Sequence, residues 1–259
     1  MARTVVITGA ASGIGKATAA LAEAHGWQPI RADLNEGDVK ADLATPQGRA
    51  AFVDGVTALV GERLDAVIAC AGVALPIPLT VKVNYFGAVA TLEGLRPLLA
   101  QGTLPRAVGI SSFASIMQAD SELVEACLSG DEAAALEAAA LKVAESKGPE
   151  VYYSSSKAAF ARWMRRQAIT ADWVRKGILL NGIAPGMVVT PMTQAMVDDK
   201  AVRAQLEQAM PMPIGRDARP EEIAELLLWL ASPANSMMVG QVLFIDGGAE
   251  ATVRGDTLW

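Results

Sequence analysis

The feature that most constrains this chain is an alternation of short apolar runs with longer segments of helical spacing. Thr4–Thr8, Gln28–Ala32, Asp65–Ala69, Ala107–Ser111, Ile178–Ile183 and Gln241–Ile245 read as strands. Gly13–His25, Pro46–Val60, Val81–Leu99, Val151–Arg175 and Pro220–Ala231 read as helices, the last with proline at a favoured first position. Buried strands that each feed a helix imply a parallel sheet covered on both faces. No repeat or linker divides the order, so residues 1–259 are expected to form one doubly wound α/β domain. The chain is 52% apolar but only 5% aromatic, which suits helices packed closely on a sheet through Ala, Val, Leu and Gly.

Charge and cysteine content exclude several classes. A net charge of −6 argues against nucleic acid or an anionic membrane as the main partner. The longest apolar stretch, near Ala66 to Leu79, is broken by Gly72, Pro76 and Pro78, so no membrane helix is expected. Cys70 and Cys127 make no disulfide framework, and Gly9 follows the N-terminus too soon for a signal peptide; a cytoplasmic location is expected. His25 is the one histidine, and without a His/Cys cluster there is no transition-metal site to assign.

Two segments depart from the alternation. Ser121–Lys147, inside a helical insertion spanning about 114–149, is rich in Ala, Glu and Leu and is expected to form a helical pair with a packing or interface role. Met187–Pro213 is a long Pro- and Met-rich connection of the kind that acts as a lid, at about 187–213.

Thr8-Gly9-Ala10-Ala11-Ser12-Gly13-Ile14-Gly15 joins the first strand to the first helix. Its glycines allow a tight turn and close approach of a pyrophosphate to the helix N-terminus, whose free N–H groups and dipole favour anions. A phosphate-binding P-loop is excluded, since Ala10 stands where its first glycine belongs and Ala17 where its metal-binding hydroxyl belongs. Asp33 lies eighteen residues beyond Gly15 (33 − 15 = 18), at the end of the second strand. A carboxylate there accepts ribose hydroxyls and repels a 2′-phosphate, which favours NAD over NADP, with Arg31 and Lys16 as cations that could soften the preference. A turn or cap role for Asp33 stays open. Asp42-Leu43 edges an adenine pocket or prepares the helix start before Pro46; both readings stand.

Tyr153 and Lys157 are four residues apart, which on a helix puts phenol and ammonium on one face. The ammonium is expected to lower the phenol pKa and make Tyr153 an acid or base near neutral pH.

In order along the chain, these pieces resemble the short-chain dehydrogenase/reductase family. The resemblance covers nearly the whole length and rests on Thr8–Gly15, Asp33, Cys70-Ala71-Gly72, Asn84, Ser111-Ser112, Tyr153/Lys157, Pro185-Gly186 with Thr190-Pro191, and Asp246-Gly247-Gly248. It implies a Rossmann-type sheet and a catalytic set of Asn84, Ser112, Tyr153 and Lys157. Ser112 would hold the substrate oxygen, Tyr153 would exchange the alcohol proton, Lys157 would bind the nicotinamide ribose, and Asn84 would order a water beside Lys157. The implied cofactor contacts are Gly9, Ser12, Gly13, Ile14, Gly15, Asp33, Asp42, Leu43, Cys70, Ala71, Gly72, Tyr153, Lys157, Pro185, Gly186, Val188 and Thr190. Thr190 would meet the carboxamide or the pyrophosphate side.

Three departures narrow the resemblance. Ala69-Cys70-Ala71-Gly72 replaces the common Asn-Asn-Ala-Gly; only twelve residues separate Gly72 from Asn84 (84 − 72 = 12); and forty-one separate Ser112 from Tyr153 (153 − 112 = 41). A short crossover with a long insertion is similar to bacterial NAD-dependent 3α-hydroxysteroid dehydrogenase/carbonyl reductases, and coniferyl-alcohol dehydrogenases resemble the same subgroup. The activity this implies is interconversion of a secondary alcohol and a ketone on a small, bulky apolar substrate, with NAD. An aromatic alcohol dehydrogenase and a non-catalytic NAD-binding sensor or scaffold are the alternatives. Pro76-Ile77-Pro78, Met187-Val188-Val189, Met192, Met196, Met210 and Met212 are expected to wall the substrate side or to pack. A homodimer or homotetramer is implied, the insertion favouring the dimer.

Overall fold

The computed structural model describes residues 2–142 and 150–257. Seven parallel strands form one sheet: β1 (Thr4–Thr8), β2 (Gln28–Asp33), β3 (Val39–Lys40), β4 (Ala66–Ala69), β5 (Arg106–Ile110), β6 (Leu179–Pro185) and β7 (Val242–Ile245), in the order β3-β2-β1-β4-β5-β6-β7. The period of two along the strands divides the core. Val6, Val67, Ala107 and Leu180 point to one face, where they meet Phe52, Leu92, Phe160 and Trp173. Val5, Ile7, Ile68 and Ile183 point to the other, against Ala19, Ala22, Ile223 and Leu227. Residues of both faces are buried, which is why the strands read as continuous apolar runs rather than alternating ones.

On the second face, α1 (Gly13–Ala24) packs on α10 (Pro220–Ala231). The first face carries α2 (Pro46–Val60), α4 (Ala88–Leu99) and α7 (Glu150–Ala168). Strand order reverses between β1 and β4, so the loops leaving their carboxyl ends diverge and open a crevice there. Thr8 ties the crevice floor together: its hydroxyl accepts the N–H groups of Cys70 and Ala71, each at 3.0 Å.

Several boundaries differ from the sequence reading. The segment expected as one helix over 81–99 starts at Leu79 as α3 (Leu79–Val81), passes through a π-helical turn at Lys82–Gly87 and continues as α4. The helix expected to reach Arg175 ends at Ala168. Thr170 turns its hydroxyl onto Gln167 O at 2.8 Å, and Trp173 folds back fully buried, edge-on to Trp163. The two-residue β3, pairing with Ala32 and Asp33, and α11 (Ala249–Arg254) are too short for periodicity to reveal. The 187–213 connection is not a structureless loop: it contains α8 (Gln194–Asp198) and α9 (Lys200–Ala209). The insertion holds α5 (Ser121–Ser129) and α6 (Glu132–Lys142), joined at Gly130; its last residues, 143–149, lie outside the described residues. Leu123, Val124, Cys127, Ala135 and Ala139 bury it in the core shared with α7.

Candidate active site

The crevice opens into a pocket of about 420 Å³ at the carboxyl ends of the strands. One end is built by the turn from β1 to α1. Gly9 has φ +67°, and a Cβ there would lie 2.9 Å from Ala71 Cα; a Cβ at Gly15 would lie 2.2 Å from Gly9 O. Only glycine permits this backbone-on-backbone packing. Ser12 precedes the helix without a side-chain cap, and the first turn holds no acidic residue. The first N–H groups of α1 therefore lack intrahelical partners, with Gly13, Ile14 and Gly15 on the pocket wall. This is a cradle suited to a pyrophosphate.

Asp33 does two jobs. Its Oδ2 accepts Ala11 N–H at 3.1 Å and its Oδ1 accepts Leu34 N–H at 2.8 Å, so it pins the glycine turn to β2 while facing the pocket. Each oxygen keeps a lone pair for a further donor. Arg31 is drawn away by Glu23 at 2.7 Å, and neither it nor Lys16 lines the pocket. Asp42 and Leu43 form the neighbouring wall. The helix start that Asp42 could have served belongs to Thr45, whose hydroxyl accepts Gly48 N–H at 3.0 Å; Asp42 braces the preceding turn through Ala44 N–H at 2.9 Å.

The other end is built by α7. Lys157 lies one turn beyond Tyr153, its Nζ 5.8 Å from the ring centroid and 2.8 Å from Ile110 O, to which it donates. The Tyr153 phenol hydrogen-bonds Ser112. Burial raises the phenol pKa, and the Ser112 bond offsets part of the rise. This corrects the sequence expectation, because Lys157 does not pull the phenol down here: its ammonium is aimed at the Ile110 carbonyl and sits over the ring face. Burial in turn lowers the Lys157 pKa to about 8 and raises that of the Cys70 thiol to about 12. Ser111 also lines the pocket, and its hydroxyl donates to Lys157 O at 2.9 Å, fastening α7 to the end of β5.

The three serines between Tyr153 and Lys157 are all used as anchors. Ser154 donates to Gln118 O at 2.8 Å, Ser155 accepts Asp120 N–H at 2.9 Å, and Ser156 donates to Tyr153 O at 2.8 Å. Asn84 alone of the expected residues stands behind the pocket wall. Fully buried on the π turn, it accepts Val73 N–H at 2.8 Å and donates to Val73 O at 2.9 Å. Its side chain holds the chain leaving β4, and a Cβ at Gly72 would lie 3.1 Å from Asn84 Oδ1 and 3.5 Å from Lys157 Nζ, so the amide stands near the ammonium.

Pro185, Gly186, Val188 and Thr190 close the third side, with Cys70, Ala71 and Gly72 opposite. Val73, Leu79, Val83, Pro191 and Met192 supply apolar wall. The expected methionine wall divides: Met187, Met210 and Met212 line a separate cavity of about 340 Å³ beside α9, leaving Met192 in the main pocket. Thr193 was missed. Its hydroxyl accepts Thr190 N–H at 3.0 Å and donates to Val188 O at 2.5 Å; the Thr-x-x-Thr spacing was its only signal. Among the described residues no helix is long and apolar enough to cross a membrane, and no group of three His, Cys, Asp or Glu could hold a metal ion.

A glycine cradle at the switch point joined to a Ser–Tyr–Lys cluster defines a dinucleotide-dependent oxidoreductase site, and comparison with known proteins gives the family. A family profile described as enoyl-(acyl carrier protein) reductase matches residues 131–250. The 3-alpha-hydroxysteroid dehydrogenase/carbonyl reductase of Comamonas testosteroni is 37% identical over 255 residues, covering 96% of this chain and 97% of the relative. The cis-4-hydroxycyclohexanecarboxylate dehydrogenase of Sinomonas cyclohexanicum is 32% identical, with 96% and 97% covered. The crystal structure of the 3-alpha-hydroxysteroid dehydrogenase from Pseudomonas sp. B-0831, complexed with NADH, superposes with a TM-score of 0.90 at 38% identity, covering 98% of this chain and 99% of that one. The chain belongs to the short-chain dehydrogenase/reductase family of nicotinamide-dependent oxidoreductases.

Proposed function

We propose that this protein interconverts a secondary alcohol and a ketone on a bulky apolar molecule of the 3α-hydroxysteroid class, using NAD. The observation that carries the reading is one pocket with Ser112, Tyr153 and Lys157 at one end and Asp33 at the other. The two hydroxysteroid relatives and the ring-borne alcohol named for the Sinomonas enzyme support it. NAD is favoured because Asp33 offers acceptors to ribose hydroxyls, while Arg31, the nearby cation that could receive a 2′-phosphate, is paired with Glu23.

A bound nicotinamide would supply the hydride acceptor for oxidation and the donor for reduction. The helix α1 N-terminus would hold its pyrophosphate, and Asp33 its adenosine ribose. Ser112 Oγ would hold the substrate oxygen. Tyr153 Oη would take the proton of the alcohol, or return it to the ketone oxygen. Lys157, charged below about pH 8, would donate to the ribose hydroxyls, and its charge together with that of an oxidised nicotinamide would favour the phenolate. Val73, Leu79, Val83 and Met192 would receive the apolar body of the substrate.

The test is reduced-cofactor formation across 3-hydroxysteroids, alicyclic alcohols and aryl alcohols with each nicotinamide. The reading predicts steroid oxidation with NAD. Response to aryl alcohols alone would move the assignment to a coniferyl-type dehydrogenase, and tight NADH binding without any turnover to a sensor. Asp33→Ala is expected to relax discrimination against NADP; equal use of both cofactors by the unmodified protein would refute the Asp33 argument.

A further inference from the structure

We infer that Arg49 and Glu132 are positioning residues through which the helical insertion sets the adenine-side wall of the cofactor pocket. The inference rests on the reading of that pocket as a dinucleotide site. Arg49 sits in the first turn of α2, nearly buried, and does not itself line the pocket. Its Nε donates to Leu43 O at 2.8 Å and its Nη2 to Ala44 O at 3.3 Å, so the guanidinium grips the main chain of the Asp42–Leu43 wall from behind. The far edge of the same fork meets Glu132, the first residue of α6, in two bonds: Nη1 to Oε2 at 2.7 Å and Nη2 to Oε1 at 3.0 Å. Phe86 of the π turn lies under the guanidinium, 5.8 Å from Cζ to the ring centroid.

Leu43 has little room to settle elsewhere. A Cβ at Gly87 would lie 3.0 Å from both Leu43 Cβ and Leu43 O, so the wall is pressed between the π turn and the fork. A planar five-donor group with acceptors on two edges has one orientation that satisfies them all. Without Glu132 the guanidinium loses its charge partner on one edge, and rotation toward water releases the Leu43 and Ala44 carbonyls. Eighty-three residues separate Arg49 from Glu132, so this contact gives the insertion a bearing on cofactor affinity that packing alone would not.

The experiment compares the native protein with Glu132→Ala, the near-isosteric Glu132→Gln and Arg49→Lys. NADH and ADP-ribose binding are titrated, and the NAD dependence of turnover is measured. For Glu132→Ala the expected result is weaker binding of both ligands by about 5- to 30-fold and an equal rise in the KM for NAD. Turnover at saturating NAD should stay within about twofold. Glu132→Gln, keeping one acceptor, should fall between, and Arg49→Lys, losing the fork, should resemble Glu132→Ala. Unchanged ligand affinity in all three, whatever happens to their melting temperatures, would overturn the inference while leaving the dinucleotide reading intact. Failure of the native protein to bind ADP-ribose would overturn both.

Discussion

Lys157 shows at the residue scale how burial and chemistry oppose each other. The native pocket lowers its pKa to about 8 from an ordinary 10.5. Between those values the unfolded chain holds a proton that the native protein has released, so stability attributable to this residue rises with pH across the window. Below about pH 8 both states are charged and the full cost of burying the ammonium applies. Relative to Lys157→Met, the native protein should therefore gain stability between pH 8 and 10.5 in urea unfolding; parallel curves would contradict the assignment. Tyr153→Phe removes the proton-carrying oxygen and keeps the ring, so turnover should fall by about 10²- to 10⁴-fold with NADH binding retained. The Tyr153/Lys157 spacing and Asp33 were legible because each depends on local position along a helix or at a strand end. The direction of the phenol shift was not, because it is set by the burial of Tyr153, which tertiary packing decides.

At the scale of elements, α7 is the part that carries the site, and it rests on two glycines of the sheet. A Cβ at Gly109 would meet Met164 Sδ at 2.5 Å and Phe160 Cε1 at 2.7 Å; one at Gly182 would meet Met164 Cε at 2.5 Å. Gly109→Ala should push α7 outward, cost about 1–3 kcal/mol of stability and lower turnover by moving Tyr153 and Lys157 together. Thermal unfolding and kcat, measured on the same preparation, check this; loss of stability without loss of turnover would mean that α7 does not set the site. The existence of α7 could be read from the sequence, and its end could not, because the burial of Trp173 is decided by Trp163 and the core. Asn84 was legible as a site residue, but its hold on Val73 depends on a π turn that apolar spacing does not register. The Arg49–Glu132 fork joins elements with no common sequence pattern.

At the scale of the whole molecule, a parallel sheet covered on both faces follows from the alternation of short apolar runs and helices, and the observed switch between β1 and β4 puts the glycine turn, Asp33 and the Ser112–Tyr153–Lys157 cluster around one crevice. The opposite end of the sheet is closed by Arg3, whose guanidinium donates to the carbonyls of Asp65, Thr103, Leu104 and Ala231. Replacing it with Met orphans several carbonyls at once and should cost about 1–3 kcal/mol for each that stays buried without a partner, read as an earlier urea midpoint. A stability loss confined to the crevice end would contradict that role. NAD-linked alcohol oxidation through Tyr153 is the activity proposed for this crevice. Its most direct test is the initial rate of NADH formation from a 3α-hydroxysteroid by the native protein and by Tyr153→Phe, with NADP in parallel. Turnover by the native protein with NAD, far slower turnover with NADP and near-complete loss in the variant are the expected result. Undiminished activity in Tyr153→Phe would contradict it.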